Sequence, residues 1–167
     1  MVSCDDYIQM KLVLDVPPDW HVARLADGRL RYTVPGFTQA TPDLFLLVRE
    51  ELPLPLNTGS WADTAFSYQL EPSRTLQIVS NIELQTHHGW PASLVSSQVL
   101  DASGQQVAGR IGALYRFLHF GAEAIWISYD RARFMSLRQQ LLDLLATGRP
   151  DWRSTEVPSL HHLISRD

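Results

Sequence analysis

Apolar and polar positions alternate with a two-residue period along much of this chain and take up a three-to-four-residue period only twice. Leu30, Tyr32 and Val34 alternate with Arg31 and Thr33, the pattern of a strand with one buried face. His21 to Leu25 precedes that run across Ala26-Asp27-Gly28-Arg29, and an Asp-Gly turn between two such segments predicts a hairpin. Leu44 to Glu50, Leu76 to Leu84, Ser93 to Leu100, Val107 to Phe120 and Ala122 to Tyr129 read as further strands. The last three are joined through Asp101-Ala102-Ser103-Gly104 and Gly121-Ala122-Glu123, and with Leu76 to Leu84 they predict a four-stranded antiparallel meander. A first strand, Lys11 to Val16, ends at Pro17-Pro18-Asp19-Trp20, where the two prolines exclude a helix.

Helical spacing appears first after Ser60, which with Asp63 three residues on resembles a capping box; the helix carries Trp61, Ala62, Ala65, Phe66 and Leu70 and stops before Pro72. The second helix is Arg131 to Leu145, with Phe134, Leu137, Leu141 and Leu144 or Leu145 on one stripe. Gly148 followed by Pro150 predicts a left-handed cap and a stop. Along Leu114 to Phe120 the alternation sets Tyr115, Phe117 and His119 on one face and Leu114, Arg116, Leu118 and Phe120 on the other. Both faces are substantially apolar, so this strand is expected to be central, with something packed on each side. The expected fold is α+β: a single antiparallel β-sheet of six or seven strands with two main helices packed on it. Residues 1–10 are expected to be an arm, 11–148 the domain and 149–167 a polar tail.

Composition supports one domain with a real core: 167 residues, 45% hydrophobic and 19% charged. A net charge of −4 and dispersed arginines provide no footprint for nucleic acid. Cys4 is the lone cysteine, so no internal disulfide forms and a reduced, cytoplasmic setting is expected. No secretion signal opens the chain and no run approaches the ~20 apolar residues that span a bilayer, so membrane insertion is not expected.

Candidate chemistry is sparse. His87 and His88 are adjacent, as are His161 and His162, and adjacent residues of an extended chain point to opposite sides. No metal-binding spacing accompanies them, so they read as solvated loop residues and no metal is expected. His119 reads as a half-buried strand residue. No serine sits in Gly-x-Ser-x-Gly and the glycines are scattered, so no catalytic residue and no cofactor is expected, and the chain reads as a non-enzyme. What stands out is the early hairpin. The sheet has more apolar strand face than two helices can cover, which makes Val22, Leu25, Leu30, Tyr32 and Val34 a candidate partner-binding surface. The competing reading is that the first helix and the extended Leu52-Pro53-Leu54-Pro55-Leu56 connector cover that face.

The order of elements resembles the PsbP-like family. The match is carried by Val16-Pro17-Pro18-Asp19-Trp20 closing the opening strand, Leu44 to Val48 before a helix, Gly89-Trp90-Pro91-Ala92 entering a strand, and Ala124 to Tyr129 leading into Phe134 and the last helix. The resemblance covers residues 11 to 146. It implies a domain like the extrinsic photosystem subunit and its bacterial relatives, among them the Eag-type chaperones of type VI secretion. Those are cytoplasmic dimers that hold apolar helices of a secreted effector in a groove on the sheet, so the resemblance implies a protein partner and a homodimer. The chain departs from them in a shorter first helix, the proline-interrupted connector and the polar tail. A helix-grip fold binding a small apolar ligand has similar element content and remains the alternative.

Overall fold

Seven strands join edge to edge in the order β2-β3-β4-β8-β7-β6-β5, every neighbouring pair antiparallel. The computed structural model describes residues 8–35, 44–53, 57–118 and 120–154. The expectations for Cys4, His119, His161, His162, most of the 1–10 arm, Leu54 to Leu56 of the connector and residues 155–167 of the tail lie outside the described residues. In chain order the elements are β1 (Ile8–Val13), β2 (His21–Arg24), β3 (Leu30–Thr33), β4 (Leu44–Pro53), α1 (Thr58–Ala65), β5 (Thr75–Gln85), β6 (Pro91–Leu100), β7 (Gln106–Arg116), β8 (Phe120–Ser128), α2 (Arg131–Leu145) and β9 (Arg149–Ser154). The α+β architecture of one antiparallel seven-stranded sheet with two helices is thus the one the alternation predicts.

Two-sided burial follows from the period of two. On one face Leu44, Leu46, Val48, Ile111, Ala113, Tyr115, Ala124 and Trp126 meet Phe134, Leu141, Leu144 and Leu145 of α2. On the other, Phe45, Leu47, Val95, Leu114, Ile125 and Ile127 meet Trp61, Ala62 and Phe66 of α1 and the turn after it. β7 and β8 are buried on both faces, as a central pair must be. In β5, pairing with β6 slips between Ile78 and Ser80. This bulge moves the apolar register from one face to the other, so Leu76 packs on the α1 side and Leu84 on the α2 side.

Where the structure departs from the sequence expectations, local chemistry explains it. β7 ends at Arg116 and β8 begins at Phe120, with the Phe117 amide donating to the Phe120 carbonyl (2.9 Å), and Gly121 lies inside β8 opposite Arg116. Phe117 and Phe120 are therefore turn-flanking residues that pack edge to face, 5.5 Å apart, and Phe120 joins the α2 side rather than the face of Leu114. α1 is capped by Asn57, whose side chain accepts from the Ser60 amide (3.1 Å), because its oxygen sits one turn earlier than the Ser60 hydroxyl. α1 also ends at Ala65 rather than reaching Leu70. Gly148 is not a left-handed cap. A side chain there would bring its Cβ to 2.2 Å from the Tyr115 ring, so glycine is present for close approach. The left-handed glycine that the hairpin signal does predict is Gly28, at φ 90°.

The two ends of the domain meet. β9 lies where a polar tail begins in the sequence reading, and it pairs with β1 from Ile8 opposite Ser154 to Val13 opposite Arg149. The segment that follows β1 is fastened to the end of α2. The Asp15 amide donates to Thr147 Oγ1 (3.0 Å), and the Arg149 guanidinium reaches Asp15 Oδ1 (2.9 Å).

Candidate binding site

The geometry of the α2 face begins with a mismatch of widths. Seven strands at ~4.8 Å span roughly 30 Å, whereas a helix with its side chains is about 10 Å across. α2 therefore stands as a ridge with apolar sheet on both flanks. Two side chains from the sheet clamp its C-terminal half: Trp126 Nε1 donates to the Leu141 carbonyl (3.2 Å) and the Tyr115 hydroxyl to the Leu145 carbonyl (2.7 Å). The second of these satisfies a last-turn carbonyl that has no partner within the helix. Complete burial pushes the Tyr115 phenol far above its ordinary pKa, so it stays protonated and remains a donor.

On the flank facing β3 and β4, the Leu14–Trp20 segment arches beside α2 and encloses a groove of about 370 Å³. Its walls are Pro17, Trp20, Val34, Trp126, Leu137, Leu141 and Leu144, and its rim is polar, with Asp15, Gln140, Asp143 and Thr147. Trp20 stands edge-on to Trp126, ring centroids 5.7 Å apart. Pro17 and Pro18, with φ fixed by their rings, open a turn in which the Trp20 amide donates to the Pro17 carbonyl (3.2 Å), and the turn sets the indole against the sheet. On the opposite flank a smaller apolar depression of about 240 Å³ runs between α2 and β5–β6, over Leu84, Leu94, Ala113 and Tyr115.

The five residues of the early hairpin do not form one surface. Leu30, Tyr32 and Val34 turn to the α2 face and pack against its core, while Leu25 packs on the α1 side. Val22, register partner of Tyr32, is 48% exposed at the outer edge. Only Val34 lines the groove. Leu30 and Tyr32 are half-buried, and burial raises the Tyr32 phenol above its usual range, with Glu50 adding to the effect.

The α1 face is built differently. Glu123 lies in β8 with its side chain almost wholly buried, and it accepts from Trp61 Nε1 (2.9 Å) and from Arg49 Nε (3.1 Å). Next to it, the buried Ser93 hydroxyl donates to Glu83 (2.7 Å) and accepts from Arg116 Nη1 (2.6 Å), and Arg116 Nη2 donates to Thr58 Oγ1 (2.6 Å). These polar side chains pin the start of α1 to the sheet. A recess of about 560 Å³ between α1 and the hairpin is lined by Trp61, Tyr68, Arg29, Arg49 and Glu123. Its charges are internally matched: Arg29 pairs with Asp27 (2.6 Å), whose carboxyl that hydrogen bond holds below its ordinary range, and lies over the Tyr68 ring at 4.7 Å. Sequence reading missed this belt because its members come from six separate elements, β4, α1, β5, β6, β7 and β8.

Among the described residues no group of three or more His, Cys, Asp or Glu side chains is placed to hold a metal ion. No helix among them is long and apolar enough to cross a membrane.

No protein-family model matches the chain, and no curated protein matches it by sequence. The solution structure of cyanobacterial PsbP (CyanoP) from Synechocystis sp. PCC 6803 is similar in fold, with a TM-score of 0.57 over 89% of each chain at 9% sequence identity. At that identity the likeness is one of architecture, and what it establishes for this chain is a PsbP-like fold.

Proposed function

We propose that this chain is a non-catalytic binding protein that holds an apolar segment of a partner protein in the groove between α2 and the Leu14–Trp20 arch. The observation that carries the reading is the groove itself, an open trough with two indole walls and three leucines, edged by polar side chains. An apolar floor with a polar rim is the anatomy of a protein interface, and tryptophans at its centre are the side chains that most often dominate binding energy. Burying one leucine-sized side chain of a partner is worth roughly 1.5–3 kcal/mol, so a few contacts suffice for micromolar affinity. A cytoplasmic, dimeric chaperone for a type VI secretion effector is the narrower form of this reading, in which the occupant is an apolar helix of the effector.

The volume of the groove, about 370 Å³, also falls among small-molecule sites and favours a second reading, an apolar small ligand. One experiment separates the two. The full-length protein is purified from its own cells under mild conditions and weighed intact by native mass spectrometry, as wild type and as Leu137→Glu. A co-purified polypeptide lost in Leu137→Glu supports partner holding, and a retained lipid-sized mass supports the small-ligand reading. If both proteins are bare and equally stable, neither reading stands.

A further inference from the structure

We propose that Arg110 anchors a small-oxyanion site between the turn that follows α1 and the end of the sheet formed by β6, β7 and β8. Arg110 is 1% exposed, and no carboxylate of the described residues lies within ion-pair distance of it. Arg24, Arg29, Arg49, Arg74, Arg116, Arg133 and Arg149, all more exposed, each reach an acid. A guanidinium does not shed its proton in a protein, so burial leaves a cation that must be compensated. Nη1 donates to the carbonyls of Phe66 and Tyr68, the latter at 2.7 Å, which caps the end of α1. That satisfies one corner of the guanidinium and supplies only partial negative charge. Nε is buried with no hydrogen-bond partner.

The same side chain lines a cavity of about 120 Å³, together with Gln69, Arg74, Ser128 and Tyr129. At ~30 Å³ per water molecule this is room for a phosphate- or acetate-sized anion. Arg74 brings a second cation to the wall of the cavity, while the Ser128 hydroxyl is engaged with the Asp130 carbonyl (2.8 Å), so the two guanidinium groups are what an anion would meet. Gln69 holds φ 49°, a left-handed conformation that only glycine adopts freely, and its side-chain oxygen accepts from the Tyr129 hydroxyl (3.0 Å). Strain of this kind persists only where the surrounding structure holds the residue in place. Desolvation lowers the pKa of Arg110, which agrees with a cation short of compensation. Among the described residues the one acid lining the cavity is Glu71, which is turned toward solvent and pairs with Arg74 at 3.6 Å.

The probes are inorganic phosphate and sodium acetate, titrated into the full-length protein against sodium chloride at matched ionic strength, with binding read by calorimetry and by the unfolding temperature. Wild type is expected to bind one phosphate or one acetate saturably, and the tighter of the two identifies a tetrahedral or a planar ligand. Arg74→Gln removes a rim cation without touching the buried Arg110 and is expected to weaken binding roughly threefold, and Glu71→Gln to tighten it by a similar factor. Arg110→Met is expected to abolish binding if it folds. The proposal is overturned if neither anion binds saturably, if Arg74→Gln binds as wild type does, or if Glu71→Gln lowers stability without improving binding, which would make Glu71 the built-in counter-ion.

Discussion

The two faces of the sheet are covered by different means. The α2 face relies on apolar area: a 15-residue helix, Trp126 and Tyr115 beneath it, and hydrogen bonds only to its carbonyls. The α1 face carries a helix of eight residues with two buried side chains, Trp61 and Ala62, too short to be held by burial alone. Buried Glu123, Ser93 and Arg110 supply the rest. The difference teaches that one helix leaves apolar surface over because it is narrower than the sheet it covers, whereas the short helix is fixed in place by directional bonds. Surplus apolar surface is what a binding groove is made from.

The largest expected effect tests the apolar face. Trp126→Ala should cost about 4 kcal/mol in urea unfolding, since it removes the largest fully buried side chain and one clamp on α2. A loss under half that figure would mean the face can collapse around the cavity. Next in size is Glu123→Ala, expected to cost about 3 kcal/mol because the buried Trp61 N–H loses its acceptor and Arg49 its partner. The sharper version of that test replaces the group together. Trp61→Phe with Glu123→Leu and Arg49→Met should recover most of the loss if the belt only fastens α1, and a triple variant as weak as Glu123→Ala would point to a further role for these polar groups.

Tyr115→Phe should cost about 1 kcal/mol, the net worth of its bond to the Leu145 carbonyl. It also carries a pH signature. The folded-state pKa of Tyr115 is raised above its value of about 10 in the unfolded chain, so its contribution is fully present below pH ~10 and falls as pH rises above that. Stability of the wild type measured from pH 8 to 11.5 should decline more steeply at the alkaline end than that of Tyr115→Phe; parallel curves would refute the assignment. The smallest effect belongs to the hairpin edge. Val22→Glu should change stability by no more than ~0.5 kcal/mol, whereas Leu30→Glu, which puts a charge against the α2-side core, should lower the melting temperature clearly.

The fold was legible because its signals are local. The Asp27-Gly28 turn, the alternation in β3 and the stripe Phe134-Leu137-Leu141 each lie within one element, and each appears where its pattern places it. The turn between β7 and β8 was misplaced because Phe117 and Phe120 prolong an apolar run while acting as the lid of an aromatic cluster with Trp90 and Tyr115. β9 was hidden because its partner is β1, more than a hundred residues earlier, and Arg149 to Ser154 carries no strand alternation of its own. The site was legible only in part. Pro17-Pro18-Asp19-Trp20 marked the arch, but that Trp20 would face Trp126 and Leu137 depends on how wide a sheet one helix must cover, and no single stretch contains that information.

The central claim is that the flank of α2 facing Trp20 is a binding surface, and it is tested most directly on one helix. A photo-crosslinking amino acid is placed at Leu137, in the groove, or at Met135, two residues away and 51% exposed on the helix's outer side, in the full-length protein inside its own cells. Crosslinks from position 137 into an apolar segment of another protein, with few or none from 135, are the result this account predicts. Equal yields from the two positions, or none from either, would contradict it.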